Sequence, residues 1–469
     1  MFLNIDKQNK NSPALVDHEG NRISYGALAE LADTVGKQVA PRSLVFILCR
    51  NTAGSVIGYL GFVEHDAVPV TLSARIDGEL LESLLQIYTP AYIWAPVEES
   101  ARFGFETVFE CCGYALLKTG NERYPLNEEL QLCMTTSGST GSPKLVRYKK
   151  GNLEANAKNV ALAFGWTAAE RAVCDLGMQY TMGLNVINTH LYVGATVLLT
   201  TSNLISGEFW EYIKKERGTN FTGVPFSYDI LFRLHFDRMD LPDLRTLSQG
   251  GGKLTDARFE QLAEYAQKTG KRFIASFGTT ETSARMACLP PELALAKTGS
   301  IGRAIPEGEL FLTDEKGREL TEPAAEGELC YRGPNVTMGY ALCREDLLKG
   351  DEFQGEYHTG DLARRDEDGC YYVTGRLSRF LKLLSYRVSL DQCENLIQQE
   401  FGLVCACGGT DKRMNIYITD GNKQAEVREF IAKKTGLFRE LFKVFVVPEI
   451  LRNESGKIRY REMDALYAE

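Results

Sequence analysis

Histidine is scarce in this chain, with five among 469 residues, and tryptophan is scarcer, with three. The histidines lie scattered, so no metal or proton-relay cluster is written into neighbouring positions. Positive charge is not in surplus: 53 Lys and Arg stand against 62 Asp and Glu, a formal charge of −9. That balance argues against a nucleic-acid or anionic-membrane surface as the main business, and neither partner is expected. No apolar run is long and clean enough to span a bilayer; the best candidate, 183–200, is broken by Asn185, Asn188 and His190. The opening stretch, MFLNIDKQNKNSP, is polar and has no apolar core. It predicts no export signal and a cytoplasmic chain. Low-complexity linkers and short-period repeats are also missing.

Twelve cysteines are present, and in a cytoplasmic chain they read as reduced and mostly buried. Cys111-Cys112 and Cys405-Ala-Cys407 lack a second ligand pair at zinc spacing, so no structural metal is expected there. The length suggests two to four domains or subdomains, and 44% apolar with 25% charged residues is ordinary for a globular protein.

Short β-rich runs alternate with helical patterns over most of the chain. SLVFILC (43–49), AYIWA (91–95), ATVLLT (195–200) and FIASFG (273–278) read as strands. NLEANAKNVALAFG, DARFEQLAEYAQKTG and the spacing of Leu80, Leu81, Leu84, Leu85 and Tyr88 read as helices. This alternation predicts an α/β fold with parallel-rich sheets. After about Gly308 the character changes. GELFLTD, GELCYRG and CYYVTGR are short strands with Gly-containing turns, as in a small antiparallel sheet. Beyond Arg376 a helix around Leu390–Phe401 and strands MNIYIT and VFVVPEI (444–450) predict a small α+β domain. The expected division is 1–376 for a large N-terminal part and 377–469 for a compact C-terminal domain.

Chemistry-bearing residues concentrate first in TTSGSTGSPKL, residues 135–145. Gly138 and Gly141 let the backbone bring N–H groups close to a polyphosphate, hydroxyls add donors, and Lys144 adds a point charge. The spacing is not that of a Walker A loop, and Leu145 stands where Ser or Thr would hold magnesium. Ser, Thr and Gly also favour plain turns, so the loop by itself leaves both readings open. The basic run RYKKGN that follows reads as a solvated surface. Four further stretches carry suitable groups: SFGTTET with Glu281, YHTGDLARRDEDG with Asp361, VTGRLSRF with Arg376, and NESGKIRYREM with Lys457 on a glycine turn. Each alone reads more readily as a surface turn or a solvated charge.

Together, in this order and over nearly the whole chain, these stretches resemble the adenylate-forming superfamily of acyl- and aryl-CoA synthetases, nonribosomal peptide synthetase adenylation domains and firefly luciferase. PALVDHEGNRISYGALAELAD, GSIGRAIPEGEL, EGELCYRGPNVTMGY and SGKIRYREM extend the match. The resemblance implies a large α/β adenylation core and a mobile C-terminal domain carrying a catalytic lysine. It also implies that ATP and Mg2+ serve to join a carboxylic acid to AMP with loss of pyrophosphate. Thr136, Ser137, Gly138, Ser139, Thr140, Gly141 and Lys144 are then the phosphate grip. Glu281 is the magnesium ligand, and Thr280 lies beside the α-phosphate. Gly251, Gly252, Ser276, Phe277, Gly278 and Thr279 lie against the nucleotide, with Phe277 on the adenine. Asp361 and Arg376 contact the ribose. Lys457 bridges the attacking carboxylate and the α-phosphate, where a cation stabilises two anions forced together.

The same resemblance places the acyl pocket at Tyr180, Thr181, Val224, Phe226 and Gly250, with Met178 beside the aromatic residues. Thr181, standing where α-amino-acid activators carry Asp, disfavours that substrate, and the compact chain favours a small acid. Two positions depart from the family: Ser378 two residues after the Gly-Arg pair, and Ser385 where glycine usually admits a pantetheine arm. They favour a carrier-protein phosphopantetheine thiol as the acceptor. The alternatives are coenzyme A, an amine giving an amide, and a catalytically silent nucleotide-binding homologue.

Overall fold

In the computed structural model, which describes residues 1–135, 144–384, 386–453 and 456–467, the run LVFILC forms the strand Leu44–Cys49. It is buried on both faces. Val45 and Ile47 point into one hydrophobic core while Leu44, Phe46 and Leu48 point into another. A strand covered on both sides needs an unbroken apolar sequence, which is why this one does not alternate. It pairs in parallel with Val68–Ser73 and Tyr92–Pro96, and Leu130–Thr135 joins in parallel beyond Val68–Ser73. Antiparallel strands extend both edges to make eight.

A second sheet of nine strands is also parallel at its centre. Arg272–Phe277, Thr246–Gln249, Asn220–Gly223, Arg171–Cys174, Thr196–Leu199 and Pro13–Asp17 lie in that order. The shared core holds residues of both sheets and of helices Tyr25–Gly36 and Ala53–Glu64, so these helices lie between the sheets. Every residue from Ala53 to Val63 is buried, as a helix covered all round requires. The helices come close because Gly61 lies against the Ala32 carbonyl, where a Cβ would collide.

The chain divides into two compact units: Met1–Leu310 with Tyr331–Tyr357, and Phe311–Cys330 with His358–Glu469. The three short strands predicted from sequence join a fourth, Glu356–Arg365, in a sheet of order Glu309–Thr313, Ala325–Arg332, Glu356–Arg365, Tyr371–Arg376, most of it within the second unit. That unit also holds the three-stranded sheet Cys405–Thr410, Arg413–Ile418, Phe442–Val446. Helices Leu390–Phe401 and Gln424–Thr435 pack on it through Ile397, Val427 and Ile431. The α/β fold with a smaller α+β part is thus the one anticipated.

Two local expectations change. The strand expected over 444–450 runs instead from Phe442 to Val446 and stops ahead of Pro448, which has no N–H for a ladder. The basic run RYKKGN is not a solvated surface throughout. Arg147 on strand Leu145–Lys149 is fully buried, with its guanidinium on the carbonyls of Met338 and Tyr340 (both 3.0 Å) and on Glu352 at 2.6 Å. Its fork geometry lets one cation satisfy several buried acceptors.

Candidate active site

Strand Arg272–Phe277 leaves its sheet in a tight hairpin and returns as Ala287–Cys288. A single 3₁₀ turn, Thr280–Thr282, forms the tip, and the Thr279 N–H donates to Oγ1 of Thr282 at 3.1 Å. Ser283 and Ala284 then take left-handed backbone, with φ of 55° and 100°. Such conformations persist in non-glycine residues only where the surroundings impose them. Here Asn335 does so. It donates from Nδ2 to the Thr282 carbonyl at 2.7 Å and accepts from the Ser283 hydroxyl on its own carbonyl at 2.8 Å. Gly278 permits the fold-back, since a Cβ there would strike the Ala284 backbone.

Glu281 sits at the tip and is 9% exposed. Its Oε1 accepts from the Tyr340 hydroxyl at 2.7 Å, and the Lys144 Nζ lies 3.6 Å from the centre of the Tyr340 ring. Burial and the adjacent Glu281 charge push the Tyr340 phenol well up, so it remains a proton donor. Arg147 anchors Tyr340 through its carbonyl, and the Tyr148 hydroxyl donates to the Thr280 carbonyl at 2.7 Å. Lys144, Thr280 and Glu281, singled out separately in the sequence, therefore meet in one cluster. Tyr340 connects Lys144 to Glu281, while Tyr148 holds Thr280; Tyr340 was not named from sequence, its one signal being a place at the end of GPNVTMGY. Oε2 of Glu281 has no hydrogen-bond partner among the described residues. A carboxylate oxygen left open beside a neutral donor suits a hard divalent cation.

Other predicted residues flank this hairpin. The Ser276 hydroxyl donates to the Gln249 carbonyl at 2.6 Å, and a Cβ on Gly250 would lie 3.0 Å from that hydroxyl. Gly251 has φ of 75°, and its α-carbon faces Val224, whose Cγ1 would stand 3.2 Å from a Cβ. Gly252 accepts from the Gln249 amide at 2.6 Å. Phe277, Gly278, Thr279 and Thr280 are half-buried at the strand end, as are Tyr180 and Thr181 where helix Thr181–Tyr192 begins. Phe226, on helix Pro225–Arg233, is 45% exposed. Met178 packs in the main core instead, with its sulfur accepting from the Ser55 hydroxyl at 3.0 Å. A small cleft lined by Tyr148, Asn156, Thr181, Asn185 and Ser283 runs beside the hairpin. Thr136, Ser137, Gly138, Ser139, Thr140, Gly141 and Ser385 lie outside the described residues.

The second unit holds its own cluster. Strands Glu356–Arg365 and Tyr371–Arg376 pair antiparallel with Asp361 opposite Arg376. The Arg376 Nε donates to Asp361 Oδ1 at 2.8 Å. Burial pushes the Asp361 carboxyl up, opposed by Arg376 and by the charge of Lys457. Lys457 is exposed on a turn in which its N–H donates to the Asn453 side chain at 2.9 Å and Gly456 has φ of 78°. Elsewhere in this unit, ligand-type atoms of Glu328, Cys330 and His358 lie within 4.8 Å of one another, a grouping invisible in sequence because 28 residues separate the last two.

Known proteins bear on this geometry. Oxalate–CoA ligase of Arabidopsis thaliana is 26% identical over 90% of this chain and 88% of its own length. A 2-succinylbenzoate–CoA ligase of Bacillus cereus is 29% identical over 74% of the chain and 72% of its own length. The solved O-succinylbenzoate coenzyme A synthetase of Bacillus subtilis, in complex with AMP, superposes with a TM-score of 0.79 over 98% of this chain and 97% of that one, at 19% identity. The same enzyme with ATP and a magnesium ion gives 0.79 at 20% identity, covering 98% of each chain. At that identity the likeness establishes the fold. Residues 3–341 match the family model described as AMP-binding enzyme, and with close to three quarters of its length inside that match the chain belongs to the AMP-binding enzyme family.

Proposed function

We propose that the protein activates a small carboxylic acid with ATP and passes the acyl group to coenzyme A. A carboxylate oxygen attacks the α-phosphorus and pyrophosphate leaves. The thiol sulfur then attacks the acyl carbon and AMP leaves. The observation that carries this reading is the Lys144–Tyr340–Glu281 cluster: a cation and a carboxylate held by one phenol at the end of a parallel strand. Glu281 would hold Mg2+ through the oxygen that Tyr340 does not occupy. That ion would neutralise charge on the phosphates. Lys144, with Thr136, Ser137, Gly138, Ser139, Thr140 and Gly141, would grip the departing pyrophosphate. Ser276, Phe277, Gly278, Thr279, Thr280, Gly251 and Gly252 would seat the nucleotide, and Asp361 with Arg376 its ribose. Lys457 would draw the acid onto the α-phosphate.

The acyl pocket would be built on Tyr180, Thr181, Val224, Phe226 and Gly250. We further propose that residues 377–469 move as a body between the two half-reactions, with Arg376 at the hinge, in the cytoplasm. Coenzyme A is favoured as acceptor over a carrier-protein thiol because the curated relatives are CoA ligases. The acids in their names, oxalate and 2-succinylbenzoate, are both dicarboxylic. Among the described residues no helix is long and apolar enough to cross a membrane.

Acid-dependent ATP–pyrophosphate exchange with magnesium, over short fatty, aryl, hydroxy and dicarboxylic acids, tests the first step. Exchange with one class supports it; ATP binding without exchange across the whole panel favours a silent homologue. Acyl transfer to coenzyme A, set against a panel of phosphopantetheinylated carrier proteins, then separates the two acceptors.

A further inference from the structure

Four residues beyond Glu281, on the returning arm of the same hairpin, stands Arg285. It is 2% exposed. A guanidinium removed from water is costly unless an anion compensates it. Among the described residues none does. Its Nε donates to the Ser276 hydroxyl at 3.2 Å, and Nη1 donates to the Asn185 side-chain oxygen. Its flat face lies 5.1 Å from the Phe164 ring centre. Nη2 has no acceptor among the described residues. Of the titratable side chains that interact with it, Cys288 and Tyr228 are pushed up by burial, Cys288 to about 11, and His190 is pushed down by burial to about 4, so all three stay neutral. Burial pushes Arg285 itself down only to about 10, which leaves it a cation at neutral pH. Among the described residues no carboxylate pairs with this charge, and its hydrogen-bond partners Ser276 and Asn185 are neutral.

Its surroundings are those of the candidate pocket. Ser276 adjoins Gly250, and Asn185 lies one helical turn after Thr181 and lines the cleft with Thr181, Tyr148 and Ser283. Asn185 is held in turn: its amide donates to Asn156 Oδ1 at 2.8 Å, and the Asn156 amide donates to the Arg285 carbonyl at 2.8 Å. The amide ring fixes the guanidinium without neutralising it. A planar fork with open N–H groups matches a carboxylate in both charge and geometry.

We propose that Arg285 receives a second acidic group of the acyl substrate, making the preferred substrate a dicarboxylic acid activated at one carboxyl and recognised at the other. This rests on the adenylation reading above. Asn185 and Ser276 act as positioning residues for the guanidinium. A monocarboxylic acid would leave the cation buried without an anion, so selectivity arises from the enzyme's unmet charge as well as from the substrate's contacts.

The test is ATP–pyrophosphate exchange with α,ω-dicarboxylic and aryl dicarboxylic acids, each compared with its monomethyl ester and with the monocarboxylic acid of equal length. Thermal denaturation with each acid, without ATP, runs in parallel. For the best dicarboxylate, kcat/KM is expected to exceed that of its monoester by about 10- to 100-fold. Arg285→Met should bring that ratio to unity or below, and Arg285→Lys should retain part of it. The ratio is internal to each variant, so partial unfolding cancels. If Arg285→Met does not fold, a reduced but surviving preference in Arg285→Lys supports the assignment and an unchanged one overturns it. Exchange as fast with monocarboxylates, or equal loss for both members of a pair in Arg285→Met, overturns it while adenylation stands. Stabilisation by dicarboxylates without any exchange keeps the recognition and removes the adenylation. Neither exchange nor stabilisation removes both.

Discussion

Glu281 and Asp361 are both buried carboxylates, one in each compact unit, yet they are held in opposite ways. Glu281 accepts from a phenol and leaves one oxygen uncommitted among the described residues. Asp361 is tied to a guanidinium at 2.8 Å. A carboxylate with a neutral partner attracts a cation; one already paired with a cation is left to accept hydrogen bonds from neutral hydroxyls. On the function proposed above, the same side-chain chemistry would serve metal binding in one place and sugar recognition in the other, according to the neighbour supplied. The backbones differ as well. The Glu281 tip is braced by Asn335 and two left-handed residues, whereas Lys457 stands exposed on a glycine turn. On the function proposed above, the first would suit a fixed site and the second a group that arrives during the reaction.

Four substitutions probe that contrast. Lys457→Ala should reduce pyrophosphate exchange most, by about 1,000-fold, with ATP affinity measured by calorimetry nearly unchanged. Exchange at the parental rate would remove Lys457 from the chemistry. Glu281→Gln keeps the shape and the Tyr340 contact but loses the charge. Exchange should fall about 100-fold, and the magnesium concentration for half-maximal rate should rise; a drop in rate with unaltered magnesium dependence would assign Glu281 a purely structural part. Arg376→Ala leaves Asp361 buried without its cation, which raises the carboxyl further. A carboxyl raised on folding adds stability that is complete below its ordinary value of 3.8 and is lost as pH rises through the folded value. Urea denaturation between pH 4 and 8 should therefore show Arg376→Ala losing about 1–2 kcal/mol more than the parent toward higher pH. The double variant with Asp361→Asn should lack that slope. Tyr340→Phe, the mildest, removes one hydrogen bond to a charged group and should cost about 10-fold in exchange; an effect as large as that of Glu281→Gln would make the phenol more than a brace.

Much of this was legible in sequence. LVFILC announces a strand covered on both faces, and the order of the Ser/Thr/Gly loop, SFGTTET, GD, GR and GK stretches points to one family. Tyr340 was not legible, because it meets Glu281 across 59 positions with no local pattern to mark it. Arg147 was misread because burial of a cation depends on acceptors about 200 residues away. Arg285, within SARMACLP, was not singled out from sequence, because nothing local marks a cation that folding will bury.

Periodicity, turn residues and motif order by themselves determined the element types, the α/β class and the kind of chemistry, since each depends on residues close together in the chain. Only the tertiary structure decided which charges are buried, which are compensated and which are left without an anion. Desolvation and pairing are set by neighbours in space, and the hairpin that carries both Glu281 and Arg285 draws those neighbours from helices and strands as far as 132 residues away.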